Sequence, residues 1–131
     1  MSPEEQELIR LTQKLLDSIL HQDWTTYQEL CDPSLTAFEP EACGHLVEGL
    51  AFHHWYFQLG GGSRPTQVTL CQPRARLLGD TAVVTYVRLQ QKLGGDDRPQ
   101  TVAFEETRVW HRQQGKWKHV HFHRSAIELK A

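Results

Sequence analysis

The chain has 131 residues, 39% hydrophobic and 23% charged, with a formal net charge of −2 and a pI near 6.4. That size suits one domain, residues 1–131, with room for a real core and none for a second catalytic domain. The composition excludes disorder, collagen and repeat arrays, and the mildly acidic balance argues against nucleic acid or anionic membrane as a general partner.

In chain order, Ser2-Pro3-Glu4-Glu5 is a capping-box signature with proline at the first helical position. Leu8, Leu11, Leu15, Leu16, Ile19 and Leu20 then recur at helical spacing, predicting a helix over Pro3 to Leu20. Its start is polar and its apolar residues are spaced, which fits neither a secretory signal nor a membrane span, so the expected location is cytoplasmic. Asp23 can cap a second helix over Trp24 to Cys31, ended by Asp32-Pro33. A short extended piece, Leu35 to Phe38, leads into an expected helix from Glu41 to Leu59, broken near Gly49 and stopped by Gly60-Gly61-Gly62.

Everything beyond is read as β: one bent or bulged strand over Gln67 to Leu78, a long strand from Asp80 to Leu93, a loop over Gly94 to Pro99, and a hairpin. The hairpin arms are Thr101 to Gln113 and Lys116 to Ala126, around Gln114-Gly115. Helices followed by long antiparallel strands predict an α+β fold, a curved sheet wrapped around N-terminal helices in a cone. Such a sheet has a concave face.

Alternation divides each strand into two faces. Ala82, Val84, Tyr86, Arg88 and Gln90 share one side; Phe104, Glu106, Arg108 and Trp110 share another; Val120, Phe122 and Arg124 a third. Each set places one arginine among apolar neighbours, where a guanidinium demands a carboxylate or another acceptor. Arg88, Arg108 and Arg124 facing one hollow would suit a carboxylate or phosphate bidentately. The competing reading is internal neutralisation by Glu106, Glu105, Glu39 and Glu48. In Phe52-His53-His54-Trp55-Tyr56-Phe57 the aromatics are expected in the core, with His53 at the mouth of the hollow as a titratable donor.

Cys31, Cys43 and Cys71 contain no C-x-x-C pair and read as small buried thiols. His119, His121 and His123 alternate, so on a regular strand they share a face. No fourth ligand or second cluster accompanies them, and no metal site or cofactor is expected. No nucleophile elbow or phosphate loop is present: Gly60-Gly61-Gly62 lacks the lysine and helix start of such a loop.

The stretch Cys31-Asp32-Pro33-Ser34-Leu35-Thr36-Ala37-Phe38-Glu39-Pro40-Glu41-Ala42 resembles the association (hub) domain of calcium/calmodulin-dependent protein kinase type II. The likeness continues in Leu46-Val47-Glu48-Gly49, Phe52-His53, Tyr56-Phe57, Tyr86-Val87-Arg88-Leu89, Glu105 to Arg112, Gly115-Lys116-Trp117 and Val120 to Ser125, in the same order. It implies a fold similar to nuclear transport factor 2 and ketosteroid isomerase. It also implies homo-oligomers of two stacked rings, about 12–14 subunits built from dimers, and a pocket for small carboxylates such as hydroxybutyrate-like ligands.

Carried over, the pocket residues are His53, Arg88, Arg108 and Arg124, with Tyr86 beside them. The leading expectation is a non-catalytic, stand-alone hub module without a kinase domain. The alternative is a small-molecule enzyme of the SnoaL-like or ketosteroid-isomerase class, in which His53, Tyr86 and Arg88 polarise a carbonyl or move a proton. A separately encoded kinase as a client has no support in the sequence. The Gly60 to Arg64 loop is short and glycine-rich compared with the family, which weakens the expectation of ligand gating there.

Overall fold

The computed structural model describes residues 1–60 and 65–127. Helix α1, Pro3–Leu20, starts at the capping box: Ser2 Oγ accepts from the Glu5 amide at 3.2 Å, and the Ser2 amide donates to Glu5 Oε1 at 3.0 Å. Its buried stripe is Leu8, Thr12, Leu15, Leu16 and Ser18, and the two hydroxyls are satisfied by the carbonyls of Leu8 and Leu15. Asp23 caps α2, Trp24–Leu30, by accepting from the Thr26 amide and hydroxyl. The helix stops one residue earlier than expected, and Cys31 already belongs to strand β1, Cys31–Phe38.

Pro33 interrupts β1 rather than preceding it. Pairing to the last strand passes from Cys31↔His119 directly to Thr36↔His121, since proline has no N–H for the ladder. The helix expected from Glu41 to Leu59 forms only in its second half. A 3-10 turn, Pro40–Ala42, is followed by strand β2, Val47–Glu48, and only then by helix α3, Ala51–Gln58. Cys43 and Gly44 have φ of 53° and 91°, a left-handed conformation that ends a helix. Gly49, at φ 78°, donates its amide to the Leu35 carbonyl at 2.7 Å, locking β2 onto β1. Helix α3 stops as expected just before Gly60, which has φ 77°; the rest of the expected Gly60-Gly61-Gly62 stop and the loop through Arg64 lie on residues 61–64, outside the described residues.

The remaining strands are β3, Thr66–Leu78; β4, Thr81–Leu93; β5, Pro99–Gln113; and β6, Lys116–Ala126. The sheet order is β2-β1-β6-β5-β4-β3, antiparallel except for β1 beside β6. The expected bend in β3 is a register shift between Cys71 and Arg74, with Gln72 at φ 51° and Pro73 beside it. Gln114 and Gly115, both at positive φ, close the β5–β6 hairpin.

A second irregularity changes the site. Between β5 and β6, Val109 pairs with His121 and Trp110 with His119, so Val120 is an extra, unpaired residue. Val120 therefore does not join Phe122 and Arg124 on the inner face as alternation alone predicts. The bulge also separates the three histidines: His119 is fully buried, whereas His123, beyond the bulge, is exposed. Among the described residues no group of three or more His, Cys, Asp or Glu is placed to hold a metal ion.

The core joins Leu8, Leu15 and Leu16 of α1 to Tyr27, Leu35, Ala37, Val47, Ala82, Val84, Trp110, Trp117 and Phe122. Two burial expectations fail. Of the thiols, Cys31 is buried, Cys71 is half-buried and Cys43 is exposed. On α3, Trp55, Tyr56 and Leu59 are 57%, 38% and 62% exposed. A helix of this length turns only one side inward: His53 meets Phe122 of β6, and Phe57 packs on Trp24 and Tyr27 of α2. No helix among the described residues is long and apolar enough to cross a membrane.

Candidate functional site

The inner face of β4, β5 and β6 brings the three arginines together through direct cross-strand pairs. Tyr86 lies opposite Glu106, and Glu106 opposite Arg124. Arg88 lies opposite Phe104, and Arg108 sits between Val84 and Phe122. All three guanidiniums border one cavity of about 200 Å³, together with Glu39, Glu41, His53, Tyr27, Phe57 and Phe122. Tyr86 and Glu106 are not part of that lining; they stand behind Arg88 and Arg108.

Arg108 is deeply embedded, 1% exposed. Its Nε donates to the Tyr86 hydroxyl at 2.7 Å, one terminal nitrogen donates to Glu106 Oε1 at 3.0 Å, and the other reaches His119 Nε2 at 3.4 Å. Its guanidinium carbon also sits 4.4 Å from the centre of the Phe122 ring. Tyr86 passes its own proton toward Glu106 Oε1 at 2.5 Å, and Arg88 donates to Glu106 Oε2 at 3.2 Å.

Burial pushes the Glu106 carboxyl upward, but Arg108 and Arg88 outweigh it and hold the group below the ordinary carboxylate value. The buried tyrosine moves the other way: loss of hydration raises Tyr86 well above a normal phenol. His119 is assigned by the same network. Arg108 can only donate, so His119 Nε2 accepts and its proton resides on Nδ1, facing Cys31 Sγ at 3.5 Å. Burial, reinforced by Arg108, keeps His119 neutral by lowering its pKa well below 6.5.

At the cavity mouth His53 Nε2 meets Glu39 Oε1 at 2.8 Å. Arg124 contacts Glu39 at 3.7 Å and pairs closely with Glu41. Phe104 supports both outer arginines, 5.6 Å below Arg88 and 4.8 Å below Arg124. Three guanidiniums thus face three carboxylates, Glu39, Glu41 and Glu106. Neutralisation by Glu106 and Glu39 is as expected from sequence, but Glu105 and Glu48 point to solvent. Glu41 takes their place; the missed signal was its position two residues after Glu39, across Pro40, which brings it back to the same arginine.

The pairing is incomplete. Nε of Arg88, Nε of Arg124 and Nδ1 of His53 are buried without a hydrogen-bond partner. Two guanidiniums with an unmet donor thus stand beside an apolar wall of Phe57, Phe122 and Ile19.

The description "Calcium/calmodulin dependent protein kinase II association domain" matches residues 4–128. The delta subunit of calcium/calmodulin-dependent protein kinase type II from Oryctolagus cuniculus is 48% identical over 123 residues, which are 92% of this chain and 23% of that protein. The chain therefore spans under a quarter of that relative. The association domain of the C. elegans kinase superposes with a TM-score of 0.87 at 45% identity, covering 92% of this chain and 93% of that one. A nuclear transport factor 2-like protein from Cytophaga hutchinsonii shares the fold, with a TM-score of 0.77 at 21% identity over 97% of this chain and 100% of that one.

Proposed function

This chain belongs to the calcium/calmodulin-dependent protein kinase II association-domain family, and from that premise we propose that it is a non-catalytic, self-assembling hub module that holds a small carboxylate between Arg88 and Arg124. The observation that carries the ligand is the convergence of Arg88, Arg108 and Arg124 on one cavity, with Arg88 and Arg124 each keeping a buried Nε that no group meets. Arg108, already engaged with three groups, forms the back wall; Tyr86 positions it; His53 closes the mouth through Glu39.

Assembly is supported by the family and by the exposed apolar side of α3, where Trp55, Tyr56 and Leu59 lie open in the single chain. Such residues are typical of the buried centre of subunit interfaces. The enzyme reading loses its base: an isomerase of this fold needs a carboxylate isolated in an apolar pocket, whereas Glu106 is clamped by two arginines and a phenol.

Light scattering and calorimetric titration test the two halves. A mass of many subunits that survives dilution and saturable binding of hydroxybutyrate are expected. A single-subunit mass at micromolar protein overturns the assembly, and no heat at millimolar hydroxybutyrate overturns the pocket.

A further inference from the structure

The three carboxylates that meet the arginines are not held alike: Glu39 and Glu41 line the cavity, and Glu106 lies behind it. Glu106 is wholly buried, 0% exposed at its side chain, and accepts from Tyr86, Arg88 and Arg108. Glu39 is 6% exposed and shared by His53 and Arg124. Glu41 is 38% exposed, and its ion-pair partner among the described residues is Arg124. Only Glu41 can regain water on release at little cost.

Its backbone is held lightly, by the packing of half-buried Ala42 against the core. The hydrogen bonds of the 3-10 turn are local: Ala42 to Glu39, Cys43 to Pro40 and His45 to Ala42. Cys43 and Gly44, both left-handed, follow it as a joint. A swing of this turn breaks no rung of the sheet ladder. With Glu41 in place the three arginines are balanced by Glu39 and Glu41 at the cavity and by Glu106 behind it, and offer an incoming anion little net attraction. With Glu41 out, one positive charge is uncovered on Arg124, beside its unmet Nε.

We propose that Glu41 is a built-in competitor: in the free protein it occupies the Arg124 guanidinium, and a small carboxylate binds by displacing it together with the Pro40–Ala42 turn. This rests on the carboxylate-pocket reading above. The site then works as an anion exchanger, taking up a free carboxylate for a tethered one, and its affinity is set by Glu41 rather than by the arginines alone.

Titration calorimetry of hydroxybutyrate into the full chain tests it, with wild type, Glu41→Gln and Glu48→Gln compared. Glu48 is exposed on β2, so Glu48→Gln removes the same charge without freeing Arg124. Glu41→Gln is expected to bind about two- to five-fold more tightly than wild type, with Glu48→Gln unchanged. Binding by Glu41→Gln alone supports both the competitor and the pocket. Wild-type binding with no gain in Glu41→Gln, or an equal gain in Glu48→Gln, overturns the competitor and leaves the pocket standing. Silence from wild type and Glu41→Gln alike overturns the pocket, and the competitor falls with it.

Discussion

The Nε of Arg108 donates to the hydroxyl of Tyr86 at 2.7 Å, beside a Glu106 carboxylate that can only accept. Tyr86 must then donate to Glu106, and Glu106 must stay ionised. A chain of this kind is stabilising only when complete.

Removing the phenol breaks it at the centre. Tyr86→Phe should cost about 1–3 kcal/mol, because Arg108 and Glu106 each lose a buried partner. Arg108→Met should cost more, about 3–5 kcal/mol, by leaving part of the Glu106 charge uncompensated. Combining it with Glu106→Gln should recover a measurable part. Urea unfolding at fixed protein concentration checks the order, and a double variant no more stable than Arg108→Met contradicts it.

Arg124 is the outermost of the three arginines, and its loss should separate binding from stability. In Arg124→Met, Glu39 keeps His53 and Glu41 returns to water, so the fold should lose less than in Arg108→Met. Hydroxybutyrate affinity should fall by about 1.5–3 kcal/mol, roughly ten-fold to over a hundred-fold. Unchanged affinity in the folded variant would leave the arginines as internal ion-pair partners only.

The neutral, buried His119 implies an acid-sensitive fold. Its folded pKa lies well below the 6.5 it has when exposed, so the unfolded chain binds the proton first. Its contribution is complete above pH 6.5 and is lost as pH falls, by up to about 1.4 kcal/mol per pH unit. Glu106 and Glu41, held low by their arginines, lose theirs only at lower pH, below the ordinary 4.5. His119→Gln should therefore flatten the stability profile just below neutrality while keeping the acid limb. An unchanged slope there would show that His119 is not the group responsible.

The thiols should differ sharply in reactivity. Burial pushes Cys31 up to about 12, and it is 2% exposed, whereas Cys43 is exposed on the loop after the 3-10 turn. At about pH 8 a thiol probe should label Cys43 first and Cys31 only after unfolding. Native labelling of Cys31, located by peptide mapping, would contradict the packing around His119.

Much of the fold was written in local signals. Ser2-Pro3-Glu4-Glu5 marks the start of α1, the apolar spacing up to Leu20 locates Leu8, Leu15 and Leu16 of its buried stripe but not Thr12 and Ser18, and Gln114-Gly115 marks the last hairpin. Alternation on β4 and β5 alone placed Tyr86, Arg88, Glu106 and Arg108 on one face, because a strand's side-chain period is fixed by its backbone.

Tertiary structure decided the rest, where a choice depends on a distant partner. Glu41 to Glu48 has the composition of a helix, but Val47 gains more by pairing with Ala37 and entering the core, and the left-handed Gly49 allows it. The bulge at Val120 is invisible in the alternating pattern of β6, since one unpaired residue exists only relative to the register of β5. That residue sends His119 inward and frees His121 and His123 from the core. The ion pairs were equally beyond local reading: the chain supplies arginines and glutamates in plenty, but which of them meet is set by the curvature that carries the Pro40–Ala42 turn over the end of β6. Sequence specified the charges and their faces; only the folded sheet, by choosing Glu39 and Glu41 over Glu48 and Glu105, specified their partners.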